Sequence, residues 1–175
     1  PEWLETFIIP IDAPIQDEWP AILTCIVEDY DAITSADFMG RVDVDLKPLL
    51  QDLIDGTNKI EKDCEEQSPI KNYRRIQQWF KLNSDEKGTS SNVSGEIELN
   101  VQWAYNPERD FDPWAEDEVL TGPANELRIA AVQGRDLAVM DSAILYGKGS
   151  SDPFLNMHVQ GANHLTAKTK YICKC

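Results

Sequence analysis

Two aspartates, Asp29 and Asp31, stand two residues apart where a strand-like run ends, and a third, Asp37, follows a five-residue loop. Side chains two apart on an extended chain project to the same side, so these carboxylates outline a cradle. Hard divalent cations, calcium above all, take several such oxygens at about 2.3–2.6 Å. Three carboxylates held close together repel one another unless something neutralises them. The alternative is a set of acidic loop tips that are merely solvated, and spacing alone leaves both readings open. An EF-hand does not fit. Counted from Asp29, its fifth, sixth and twelfth positions fall on Ile33, Thr34 and Gly40, where a ligand, a glycine and a glutamate are required. A calcium site here has to be a loop site on a β scaffold.

Other chemistry is poorly supplied. Gly147-Lys-Gly149-Ser150 lacks the spacing of a phosphate loop and does not lie between a strand and a helix. His158 and His164 have no helical pairing and no carboxylate partner at a recognisable spacing. Cys25, Cys64, Cys173 and Cys175 match neither a zinc ribbon nor a disulfide scaffold, which favours a reducing, cytoplasmic setting. With no nucleophile, base or cofactor motif, the chain is expected not to be an enzyme.

The elements that must position the aspartates read as strands. From Gly95 to Tyr105, the residues Ile97, Leu99, Val101, Trp103 and Tyr105 alternate with Glu96, Glu98, Asn100, Gln102 and Ala104. Such a period of two places one face on a core and the other in water. Similar runs at 3–11, 21–28, 38–46, 77–82, 126–132, 154–160 and 165–173 bring the total to eight. Eight short strands separated by turn residues predict an all-β antiparallel sandwich. A helical piece is predicted at 47–54, opened by Pro48 and closed by Gly56. Residues 57–68 read as a surface insertion and 83–94 as a further loop. Residues 106–124, rich in Pro, Asp, Glu and Gly, read as an acidic linker that Phe111 and Trp114 could pin to a neighbouring surface.

Charge bounds the partners. The 175 residues hold 16 basic and 31 acidic side chains, a net charge of −15, and 42% are hydrophobic. That apolar share suffices to bury a core. So acidic a chain repels phosphate backbones, which argues against nucleic-acid binding and against standing attraction to anionic membrane. Lipid binding would need a cation in between. No run is long and apolar enough to span a bilayer, and no signal-peptide pattern is present.

The combined motifs resemble the C2 domain family, the calcium-dependent lipid-binding sandwich. Leu127–Val132, Arg135-Asp-Leu137, Met140-Asp141, Gly149-Ser-Ser-Asp-Pro-Phe154 and Lys168-Thr-Lys170 look like its first half. Pro1-Glu-Trp-Leu-Glu-Thr-Phe7, Asp29-Tyr-Asp31, Asp37-Phe-Met-Gly40, Trp79-Phe-x-Leu82 and the strand ending at Tyr105 look like its second half. The order is second half first. Residues 1–105 are therefore expected to be the C-terminal half of one C2 domain, 106–124 a linker and 125–175 the N-terminal half of the next, in a piece of a longer tandem array. The two halves could also close on each other as a circular permutant.

The resemblance implies a calcium ligand set of Asp29, Asp31, Asp37, Asp141 and Asp152, with the Thr34 hydroxyl as a weaker member. It implies calcium-dependent binding of anionic phospholipid membranes, peripheral and cytoplasmic, with neighbouring C2 repeats as further partners. Ile33, Ile144, Leu145 and Tyr146 would be the loop tips that enter the membrane, or else would pack one loop on the other. Lys168, Lys170 and Lys174 read as a solvated strand face more readily than as a phosphoinositide site. The competing function is a calcium-independent protein-binding adaptor.

Overall fold

A computed structural model describes residues 1–10, 22–31, 35–50, 75–84, 93–106, 125–140, 149–160 and 162–173. The strands are β1 (Glu2–Pro10), β2 (Ile22–Asp29), β3 (Asp37–Asp45), β4 (Arg75–Lys81), β5 (Glu96–Ala104), β6 (Glu126–Arg135), β7 (Pro153–Val159) and β8 (Ala162–Lys168). One four-stranded sheet runs β1-β6-β5-β4 and the other β3-β2-β7-β8. Every named pairing is antiparallel. The expected sandwich is the observed fold. Each sheet takes strands from both chain segments, since β6 lies between β1 and β5, and β7 lies beside β2.

Alternation explains the layers. On β5, Ile97, Leu99, Val101 and Trp103 are fully buried, and on β2 so are Leu23, Cys25 and Val27. With Leu127, Ile129 and Ala131 from β6 and Leu155, Met157 and Val159 from β7, they form one continuous core between the sheets. Burial of large apolar side chains supplies the driving force at roughly 25 cal/mol per Å² removed from water.

Two indoles stitch the sheets together. Trp103 on β5 donates its Nε1–H to the Leu46 carbonyl at 3.1 Å, and Trp3 on β1 donates its own to the Pro153 carbonyl at 3.2 Å. Each tryptophan thereby meets the need of a buried ring for an acceptor and fixes the relative placement of the layers.

Residues 106 and 125 are tied across the gap between β5 and β6. The Asn106 amide donates to Asn125 Oδ1 at 2.7 Å, and Asn125 Nδ2 donates to the Asn106 carbonyl at 2.8 Å. Asn106 Nδ2 also reaches the buried Glu126, whose charge Arg128 balances at 2.5 Å. The acidic linker is thus flanked by two ends held side by side, while residues 107–124 themselves lie outside the described residues.

Two expectations differ in detail. Residues 47–50 form a 3-10 turn, and the rest of the predicted helix and the 57–68 insertion lie outside the described residues. The last strand ends at Lys168, short of the expected Cys173. Thr169 is the cause: its Oγ1 accepts the Leu155 amide at 2.9 Å, so a side chain takes the place of a ladder carbonyl. Beyond it the chain still follows β7, with the Ile172 amide donating to the Pro153 carbonyl at 3.1 Å.

Replacing Trp103 by Phe removes the donor to Leu46 while retaining an aromatic ring. The Leu49 amide still donates to the Leu46 carbonyl at 3.1 Å, so the expected result in urea denaturation is a loss of about 0.5–1.5 kcal/mol from the removed hydrogen bond, with a further contribution from the smaller ring.

Candidate functional site

The end of the β3-β2-β7-β8 sheet gathers the aspartates. β2 pairs with β7 so that Asp29 stands opposite Pro153, directly after Asp152. β2 also pairs with β3 so that Asp29 stands opposite Asp37. This second register depends on a bulge. Val27 faces Gly40 and Glu28 faces Phe38, so Met39 is the extra residue. Without the bulge Phe38 would stand opposite Asp29, and Asp37 would lie one position further out.

Gly40 makes that bulge possible. Its φ is +155°, and a Cβ there would lie 2.7 Å from the Leu82 Cβ. Met39 itself is fully buried, which anchors the bulge in the core.

Asp29 is a buried carboxylate, only 2% exposed. Its Oδ1 accepts the Asp152 amide at 2.5 Å, and the following Tyr30 amide donates to the Asp152 carbonyl at 3.0 Å. A reciprocal stitch therefore joins the Asp29 loop to the Asp152 loop. Burying a carboxylate is costly unless hydrogen bonds or an opposite charge compensate it, and the Asp152 amide supplies part of that compensation.

Ser151 organises the other side. Its buried Oγ accepts the Met140 amide at 2.8 Å and donates to the Ala138 carbonyl at 3.2 Å. The hydroxyl thus ties the residues entering the 141–148 segment to those leaving it. Its position immediately before Asp152 was the only sequence signal of this role.

Asp29, Asp31, Asp37 and Asp152 thus come to the same end of one sheet. Asp141, Thr34, Ile33, Ile144, Leu145 and Tyr146 lie outside the described residues. Among the described residues, no three His, Cys, Asp or Glu side chains stand close enough together to hold a metal ion. The donors nonetheless suit a hard cation, for carboxylate oxygens are what calcium takes.

Alternative chemistry remains thin. The Cys25 thiol is buried, and burial, aided by the negative charge of Asp43, raises its pKa well above the ordinary value. It is held as the neutral thiol and is no nucleophile at neutral pH. His158 lines an open groove of about 460 Å³ together with Asn156, Thr166 and Lys168. The Lys168 ammonium sits 3.8 Å from the Phe154 ring centroid, and Asn156 donates to Glu28. That face therefore mixes both signs of charge. No helix among the described residues is long and apolar enough to cross a membrane.

The family model of the C2 domain matches residues 1–62 and 125–175. No significant match is found among curated proteins or among solved structures.

The bulge that sets Asp37 opposite Asp29 predicts that Gly40→Ala is poorly tolerated. The clash with Leu82 and the unusual φ should lower stability by about 1–3 kcal/mol in chemical denaturation.

Proposed function

Since the chain belongs to the C2 domain family, a family of membrane-targeting and protein-interaction modules, we propose that it binds anionic phospholipid membranes in a calcium-dependent manner through its aspartate loops. The observation that carries the proposal is the β2 register, which brings Asp29 opposite both Asp37 and Pro153 and bonds it to the Asp152 amide. Asp29, Asp31, Asp37 and Asp152 would hold the cation, together with Asp141 and Thr34. Calcium bound there would supply positive charge and open coordination positions for lipid phosphate oxygens.

The role of this chain's own residues is electrostatic. A chain of net charge −15 is repelled by anionic lipid, and its local carboxylates add to that repulsion. Calcium ions bound among them would reverse the potential at that sheet end alone, so membrane binding would follow calcium. Ile33, Ile144, Leu145 and Tyr146 would then add apolar contact with the membrane interface. The expected setting is cytoplasmic and peripheral. C2 domains are typically non-catalytic, and this chain is read as a binding module, not an enzyme.

The two segments are read as the second half of one repeat and the first half of the next in a tandem parent, closed here as a circular permutant. The mixed origin of both sheets supports closure. Neighbouring C2 repeats would be partners in that parent.

One observation favours a second reading. The open groove of mixed charge lined by His158, Asn156, Thr166 and Lys168 suits a calcium-independent protein-binding adaptor.

The ligand assignment is tested by calorimetry on the double variant Asp29→Asn, Asp31→Asn. Wild-type protein is expected to give calcium-binding heats that the variant loses, whereas equal heats in both would refute the assignment.

A further inference from the structure

Tyr30 separates the two aspartates of the β2 loop, and its ring meets that of Tyr171, beyond the end of β8. The rings stack with centroids 4.3 Å apart and planes within 5° of parallel. Both residues remain exposed, at 40% and 45%. The contact therefore lies outside the core and joins two segments at the end of the sheet.

Their backbones flank the start of β7. Tyr30 donates its amide to the Asp152 carbonyl on one side, and Ile172 donates to the Pro153 carbonyl on the other. The stack closes across that strand. Since the β2 ladder ends at Asp29, the course of the chain through Tyr30 to Asp31 depends on contacts beyond the ladder.

We infer that the Tyr30–Tyr171 stack is a clamp that positions Asp31 for cation capture, so that Tyr171, in a segment with no proposed ligand, is a positioning residue of the site. This rests on the calcium reading above. On β2, Leu23, Thr24, Cys25, Val27 and Asp29 are buried, whereas Tyr30, the next residue, is exposed. The ring thus acts on the aspartate loop without belonging to the ligand set. Aromatic pairs add an increment of coupling beyond area burial that corresponds to roughly three- to tenfold in an equilibrium.

The test uses the full chain with Tyr171→Ala and Tyr171→Phe. Without calcium, hydrogen exchange at the Tyr30 amide should quicken by roughly three- to tenfold in Tyr171→Ala, with the amides of Leu23 to Val27 unchanged. Calcium dissociation constants should rise by a similar factor, and Tyr171→Phe should restore both readouts. Unchanged exchange at Tyr30, uniform acceleration across β2, or unchanged calcium affinity despite local loosening would each overturn the inference. If wild-type protein binds no calcium, the function proposed above and the positioning role both fail; local loosening in Tyr171→Ala would then show a purely structural clamp.

Discussion

The antiparallel pairing of β2 with β7 is the constraint on which the rest depends. It runs from Leu23 opposite Val159 to Asp29 opposite Pro153, and it joins strands from the two ends of the chain. The same side chains that make the pairing stable, Leu23, Cys25, Val27, Leu155, Met157 and Val159, are the centre of the core. A slip of one residue would turn this buried set to solvent, so the core fixes the register. The register in turn fixes which carboxylates meet. The placement of the carboxylates at the sheet end is therefore set by hydrophobic packing several residues away.

Much of this was legible in the sequence because alternation is a direct print of burial. Ile97, Leu99, Val101 and Trp103 announce β5 without any knowledge of its partners, and the observed strand differs from the expectation by a residue at each end. Local side-chain chemistry was harder to read. The bulge at Met39 depends on the close approach of Gly40 to Leu82, a contact between distant parts of the chain. The shortened β8 depends on a single hydroxyl, that of Thr169, replacing a carbonyl.

The site was legible by residue type and only partly by geometry. Spacing marked Asp29, Asp31 and Asp37, and the family resemblance added Asp141 and Asp152. Nothing in the spacing indicated that Asp29 would be buried and bonded to the Asp152 amide, since that contact spans most of the chain. Tyr30 and Tyr171 gave no signal either, because an exposed aromatic in a strand pattern looks like any alternating position. Asp141, Thr34 and the proposed loop tips lie outside the described residues, so their roles rest on the resemblance.

Net charge and local charge pull in opposite directions here. A chain of −15 should avoid an anionic surface, yet the same acidic character, concentrated at one sheet end, is what a divalent cation could turn into attraction. The most direct measurement is co-sedimentation of the intact chain with phosphatidylserine-containing vesicles, in calcium and in chelator. A calcium switch at the aspartate loops predicts binding in calcium that disappears in chelator and weakens at high salt. Equal binding under both conditions, or none in calcium, would contradict it.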